Sequence, residues 1–353
     1  MFCINNRYEL KTKSRPHVVI LGAGASCAAI PKGDKNGKKI SAMRGFIDEL
    51  GLRKILDRVE LHTKSDNLED IYMELDSRSH EEPECNEVKY ELDSSIRRHM
   101  GEYQLPDEPN IYDFLVLGLT SKDLIATFNW DPFLVQAMQR ASRFVNGESL
   151  PQVAFLHGNV VIGYCAKCKQ IGCINSVCRN GHLLQMVQLL YPVANKNYTS
   201  DSCISACWRE FNTALKRAYM VTIFGYSAPV SDLAAIEAMK LAWGRTEEHE
   251  YEQIEVINIG EREAVLKSWD RFIFQDHCDY YTSFFDSSIA RYPRRTCDVL
   301  FDAKMKCRFM YDNRGFQEGI TISEIEQLIR PLVYDECIKR TTSEILYNPY
   351  LIE

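Results

Sequence analysis

Several of the side chains in this 353-residue sequence that can move protons or hold a polarised bond stand directly behind short apolar runs. Thr127-Phe128-Asn129-Trp130-Asp131-Pro132 closes the run 124–128, and Phe155-Leu156-His157-Gly158-Asn159 closes the run 153–156. A carboxamide such as Asn129 both donates and accepts, so it can place a water without competing as a nucleophile. Asp131 can bind hydroxyls or an amide, and a histidine at a strand end can act as a base near neutral pH. Each also has a plainer use, because Asn and Asp cap helices, Asp131-Pro132 is a good helix start, and a lone histidine often serves structure. Two turns of small residues complete the set, Gly22-Ala23-Gly24-Ala25-Ser26 after the run 17–21 and Gly225-Tyr226-Ser227-Ala228-Pro229 after the run 220–224. Glycines let a backbone approach a phosphate closely, and a following helix aims N–H groups at it. The first turn is shorter than the dinucleotide GxGxxG fingerprint and lacks the P-loop Lys-Ser/Thr, so it equally suits tight strand–helix packing. Asn258, ending the run 254–259, can bond a ribose or merely close its strand.

The second kind of chemistry belongs to cysteine. Of 13 cysteines, four fall within residues 165–178. Cys165-x2-Cys168 has knuckle spacing, and Cys173-x4-Cys178 would complete four thiolates for a tetrahedral zinc. His182 is a spare donor, Cys203-x3-Cys207 is another pair, and reduced buried cysteines are the alternative. A zinc held by four protein ligands would be structural, with no open position for chemistry.

The elements that must carry these groups follow from hydrophobic patterning. The five runs 17–21, 124–128, 153–156, 220–224 and 254–259 are short, apolar and separated by amphipathic stretches. That alternation predicts a Rossmann-like α/β fold, a parallel sheet flanked by helices, with ligands beyond the carboxyl ends of its strands. Leu52, Ile55, Leu56 and Val59, and again Leu68, Ile71, Tyr72 and Leu75, follow i, i+3, i+4, i+7 and predict helices inserted between the first two strands. Residues 77–87 read as a charged, solvated loop. Thr321-x-x-Glu324 and Ser323-x-x-Glu326 are capping-box patterns ahead of Ile325, Leu328 and Ile329, with Pro331 expected to stop that helix.

Composition excludes several classes. Hydrophobic residues make up 45% and charged residues 26%, which rules out collagen, coiled-coil rods and wholly disordered chains. The longest apolar run near the middle, 114–117, is far too short to cross a bilayer. The opening MFCINNRYELKTK lacks an export pattern, which leads to the expectation of a soluble, cytoplasmic protein. Net charge is −7. Twelve acidic against three basic residues between positions 60 and 93 contribute −9, so the remainder is about +2. No basic footprint suggests a nucleic-acid binder.

Taken in order along the chain, these motifs resemble the sirtuin (silent information regulator) family over residues 16–259. The resemblance implies that Gly22, Ala23, Gly24 and Ser26 hold the pyrophosphate of NAD, and that Asn129 and Asp131, beside Thr127, line the nicotinamide and ribose pocket. It implies that His157 is the catalytic base, that Gly225, Ser227 and Asn258 touch the rest of NAD, and that a small zinc module follows the histidine turn. Protein-deacylating sirtuins carry Gln where Phe128 stands, a Pro-Asp-Phe-Arg segment where this chain has Ile30-Pro31-Lys32-Gly33-Asp34, and a Phe-Gly-Glu stretch absent between Cys178 and Tyr219. The chain looks more like bacterial sirtuin-like effectors of anti-phage defence, which hydrolyse NAD to nicotinamide and ADP-ribose. The implied organisation is a catalytic domain over 14–285, with a helical insertion at 41–120 and a cysteine-rich module at 160–207, then a C-terminal extension over 286–353. An NAD-dependent deacylase or ADP-ribosyltransferase and a non-catalytic NAD or ADP-ribose sensor are the alternatives. A hydrolase of this kind would need restraint, by homo-oligomerisation, a partner protein encoded nearby, or the extension. The acidic 60–93 segment is a candidate partner surface, a solvated face being the plainer reading.

Overall fold

The computed structural model describes residues 6–40, 46–191, 198, 201–228, 232–245, 249, 251–269, 277–342 and 344–352. Pro192 and Pro229, both within stretches singled out above, lie outside them. The strands, in chain order, are β1 (His17–Leu21), β2 (Leu124–Thr127), β3 (Gln152–Phe155), β4 (Ile162–Cys165), β5 (Gln170–Cys173), β6 (Gln185–Met186), β7 (Met220–Phe224), β8 (Gln253–Ile257) and β9 (Cys278–Tyr281).

All five apolar runs become neighbours in one six-stranded parallel sheet of order β3-β2-β1-β7-β8-β9. Renumbered within the sheet this is 3-2-1-4-5-6, the Rossmann order, and its direction reverses between β1 and β7. Val18, Ile20, Leu124 and Ala126 face one apolar cluster, while Val19, Leu21 and Ile125 face the other. Both faces are therefore covered, as parallel sheets require. The register puts Phe155, Thr127, Leu21, Phe224, Ile257 and Tyr281 in one row across the carboxyl edge. The next residues of each strand thus emerge side by side, which is how motifs far apart in sequence meet.

The helical insertion differs in detail from its pattern. Leu68–Arg78 is helical, capped by the Asn67 side chain on Glu69 N. Of the earlier heptad only Arg53–Leu56 is helical, and Val59 lies beyond its end. The stretch 77–87 is not one loop, because a helix runs from Pro83 to Gly101. Pro83 at its first turn costs no hydrogen bond there, and Cys85, Val88, Leu92, Ile96 and Met100 bury a stripe beneath an acidic outer face. The Thr321–Glu324 capping box forms, with Glu324 N donating to Thr321 Oγ1 and Thr321 N to Glu324 Oε2. Pro331 does not stop that helix, which spans Ile322–Thr342. Burial of Ile325, Ile329 and Leu332, and of Glu336 against two arginines, outweighs the hydrogen bond a mid-helix proline removes.

Residues 162–190 carry the second sheet, antiparallel in the order β5-β4-β6. Helix Thr296–Lys306 packs Cys297 and Phe301 on Tyr219 and Met220 at the start of β7, so the extension is built onto the main sheet. No helix among the described residues is long and apolar enough to cross a membrane.

Candidate active site

The turns after β1 and β7 interlock at the point where the strand order reverses. Gly22 N donates to Phe224 O, and Gly24 N donates to Gly225 O at 2.9 Å. A Cβ on Gly22 or Gly24 would stand 2.6 or 2.8 Å from the second turn's backbone, and one on Gly225, at φ +62°, would meet Ala25 N at 2.2 Å. These glycines are therefore dictated by backbone packing as much as by any ligand. Beside them opens a cleft enclosing about 210 Å³. Gly22, Ala23, Ser26, Asn129, Asp131, His157, Gly225 and Ser227 all line it.

The remaining three positions do different work. Thr127 Oγ1 accepts from Asn129 N at 3.0 Å, setting the turn after β2. Gly24 packs against Gly225. Asn258 Oδ1 accepts from Gly260 N at 2.9 Å, closing the turn after β8 outside the cleft lining.

Two turns hold the chemistry-bearing residues. Phe128 N continues the ladder to Leu21 O, Leu156 N bonds Thr127 O, and Val160 N bonds Trp130 O. Asn159 Nδ2 donates to Asp131 O at 2.6 Å, which ties the histidine turn to the aspartate turn. Gly158 at φ +77° allows this path, since a Cβ there would lie 2.1 Å from Gln188 O. Within the frame Ser26 Oγ donates to Asp131 Oδ2 at 2.6 Å, and Phe133 N to Asp131 Oδ1 at 3.2 Å. Asn129 Nδ2 donates to Gly22 O at 2.8 Å and Ser26 Oγ at 2.9 Å. A carbonyl only accepts, so this contact fixes the amide orientation. The donor side of Asn129 is thereby committed to the protein, and its Oδ1 makes no hydrogen bond among the described residues.

Burial pushes the Asp131 carboxyl up to about 6, against the hydrogen bonds from Ser26 and Phe133 N that favour its charge. Burial and the Asp131 charge together raise the Tyr112 phenol, which sits 2.8 Å from Ser26 Oγ. His157 is buried, with the Phe128 ring edge-on at 4.8 Å, and Phe128 stacks on Tyr226 at 4.4 Å. Its Nε2 lies 3.9 Å from Asp232 Oδ1.

Sequence reasoning passed over Tyr112 and Asp232, and gave Tyr226 no role of its own within its turn. The inserted helices, predicted from their apolar spacing, also wall the cleft with Phe46, Glu69 and Met100. Asn110-x-x-Asp113 ahead of 111–118 was a capping signal for the helix carrying Tyr112, and it forms in full. Nothing in the spacing marks Asp232.

The cysteine-rich module gathers Cys165, Cys168, Cys178 and His182, whose ligand atoms all lie within 4.8 Å of one another. His182 Nδ1 is 3.8, 3.4 and 3.4 Å from the three sulfurs in that order. Zinc–sulfur bonds of about 2.3 Å at tetrahedral angles separate two sulfurs by about 3.8 Å, and Cys168 and Cys178 are 3.5 Å apart. Cys168 N and His182 N point at Cys165 Sγ and Cys178 Sγ, respectively, supporting thiolate charge. These four residues fit a structural zinc. Cys173 does not join them; it is exposed at the end of β5, its sulfur accepting from Gln139 Nε2. Cys203 and Cys207 are buried in the helix Ser202–Arg217.

No family model and no curated protein matches the chain. Solved structures do. A Sir2 homolog–NAD complex matches at 15% identity, covering 85% of this chain and 95% of that one, with a TM-score of 0.42. A mutant Sir2 homologue bound to ADP-ribose matches at 11% identity over 94% and 98%, with a TM-score of 0.41. A structure addressing sirtuin substrate affinity matches at 14% identity over 85% and 97%, with a TM-score of 0.38.

Proposed function

We propose that the protein is an NAD glycohydrolase, splitting NAD and water into nicotinamide, ADP-ribose and a proton. The observation that carries this reading is the single cleft at the reversal of the sheet, where two glycine turns, Asn129, Asp131 and His157 meet. Nicotinamide departs as a neutral molecule from a cationic ring, so no general acid is needed. The demand falls on the electron-poor ribose, whose transition state resembles that of glycoside hydrolysis. The Asp131 carboxylate, in a site that excludes much of the solvent, favours the cationic substrate and the positive charge developing on the sugar. Asn129 Oδ1 accepts a hydrogen bond from the attacking water. His157 takes the proton that water loses and passes it to solvent. The carbonyl and hydroxyl contacts of Asn129 hold it rigidly for that task.

The resemblance to defence effectors supports a cytoplasmic role in which NAD depletion stops an infected cell. Restraint would then come from self-association or a partner protein. Zinc, held by Cys165, Cys168, Cys178 and His182, would brace the module beside the cleft and take no part in the reaction.

The test is incubation of purified protein with NAD, resolving nicotinamide, ADP-ribose and cyclic products. Release of nicotinamide with ADP-ribose is expected, and His157→Ala or Asn129→Ala should slow it about 100-fold or more. Unchanged turnover in both variants would sink the reading. Turnover that appears only with an acyl-lysine peptide would replace it by deacylation.

A further inference from the structure

Asp232 occupies the N-cap of the helix Leu233–Trp243, yet its side chain makes no capping hydrogen bond. An aspartate at that position ordinarily bonds the free N–H groups of the first turn, which contributes about 1 kcal/mol. Here the carboxylate turns the other way. Oδ2 accepts from Tyr226 Oη at 2.8 Å, and Oδ1 faces His157 Nε2 at 3.9 Å. Both side chains are only 7% exposed, so their interaction is little screened. Tyr226 is itself fixed by stacking on Phe128, whose ring also meets the His157 ring edge-on.

We propose that Asp232 is the positioning residue for His157, with Tyr226 as its anchor. The carboxylate orients the imidazole and keeps a proton on Nε2, which leaves the basic lone pair on Nδ1. The separation of 3.9 Å is an ion-pair distance that can tighten to a hydrogen bond once a substrate fills the cleft. The inference deepens the hydrolase reading and rests on it for its kinetic consequence, though the coupling between the two side chains does not. The other ionisable groups lining the cleft are Asp131 from the turn after β2, Glu69 from the helix 68–78, Cys27 from the helix 23–29 and Tyr226, and the Tyr198 ring stacks on His157 at 6.2 Å. Among the described residues lining the cleft, Asp232 has the one carboxylate within ion-pairing distance of His157.

The experiment is an NMR titration of histidine-labelled protein, with the His157 signal assigned by its loss in His157→Gln. An adjacent anion favours the imidazolium, so Asp232→Asn should lower the His157 midpoint by about one pH unit. Tyr226→Phe should lower it by less, since it frees the carboxylate without removing it. In turnover, Asp232→Asn should carry the acidic limb of the kcat/KM profile downward by the same amount and reduce kcat about 10-fold, with KM little changed. Asp232→Glu should restore part of both. An unmoved His157 midpoint in Asp232→Asn overturns the proposal. So does a rise in KM with kcat held, which would make Asp232 a substrate ligand. Should the protein turn over no NAD at all, the titration still decides whether the two side chains are coupled.

Discussion

Asp131 shows how a carboxylate can be both well bonded and poorly placed for charge. It accepts hydrogen bonds from Ser26 Oγ and Phe133 N, yet burial wins and lifts it to about 6. A carboxyl raised in the folded state binds its proton more tightly there than in the unfolded chain. Stability tied to it is therefore fully present below about pH 4 and is lost as pH rises towards the folded value. A rise from about 4 in the unfolded chain to about 6 in the fold corresponds to roughly 3 kcal/mol at most. Asp131→Asn has no such titration, so wild type should lose stability relative to this variant between about pH 4 and 6.5. Urea midpoints at pH 4.5 and 7 measure the difference. Glu255, buried and pushed up to about 7, titrates in both proteins and cancels from the comparison. A gap independent of pH would mean that Asp131 ionises like a surface carboxyl.

At the scale of elements, what was legible and what was not divide along a physical line. Buried parallel strands are apolar on both faces, so β1, β2, β7 and β8 stood out as apolar runs, and the edge strand β3, with Gln152 exposed, stood out through the apolar stretch 153–156 alone. The edge strand β9 pairs with β8 alone and reads Cys-Asp-Tyr-Tyr, with no such signature. The residues at strand ends were legible because a parallel sheet delivers its carboxyl termini to one edge. Asp232 was not, because only the return of a helix N-terminus to that edge brings it to His157. The zinc-like module makes the same point. Lys169 and Asn175 adopt positive φ, and the turns they form carry Cys173 away while returning His182. Spacing puts Cys173 ahead of His182, a spare donor there, and the backbone path reverses that order. We expect one zinc per chain by metal analysis, lost in Cys178→Ser and retained in Cys173→Ser. Chelation should expose the amides of 162–190 to hydrogen exchange before those of β1, β2 and β7, because the small sheet has few buried apolar side chains of its own. Loss of metal from Cys173→Ser would return the ligand set to four cysteines, and its retention by Cys178→Ser would rule out both sets.

The whole molecule is closed on the side opposite the cleft. Arg294 and Arg295 have fully buried side chains, and both reach Glu336 on the C-terminal helix, at 2.5 Å from Arg294 Nη2 and 2.7 Å from Arg295 Nη1. Arg294 also donates to the carbonyls of Leu117, Leu119 and Ser149, and Arg295 to those of Leu332 and Tyr347. Leu119 and Ser149 precede β2 and β3, so this clamp binds the extension to the amino ends of the strands whose carboxyl ends carry Asn129 and His157. A buried ion network adds little net stability over an apolar replacement, but removing one partner leaves charge stranded. Glu336→Ala strands the Arg294 guanidinium, while Arg295 keeps Asp335 at 3.2 Å, and should cost about 3–5 kcal/mol by denaturant unfolding. Tyr334→Ala on the same helix, where the ring is 69% exposed, should change stability by about 0.5 kcal/mol or less. Because the clamp lies across the sheet from the cleft, Glu336→Ala should keep the kcat of the proposed NAD cleavage at temperatures where it remains folded. A fall in kcat with the fold intact would instead tie the extension to the active site, and make the C-terminal helix a candidate for the restraint that an NAD hydrolase requires.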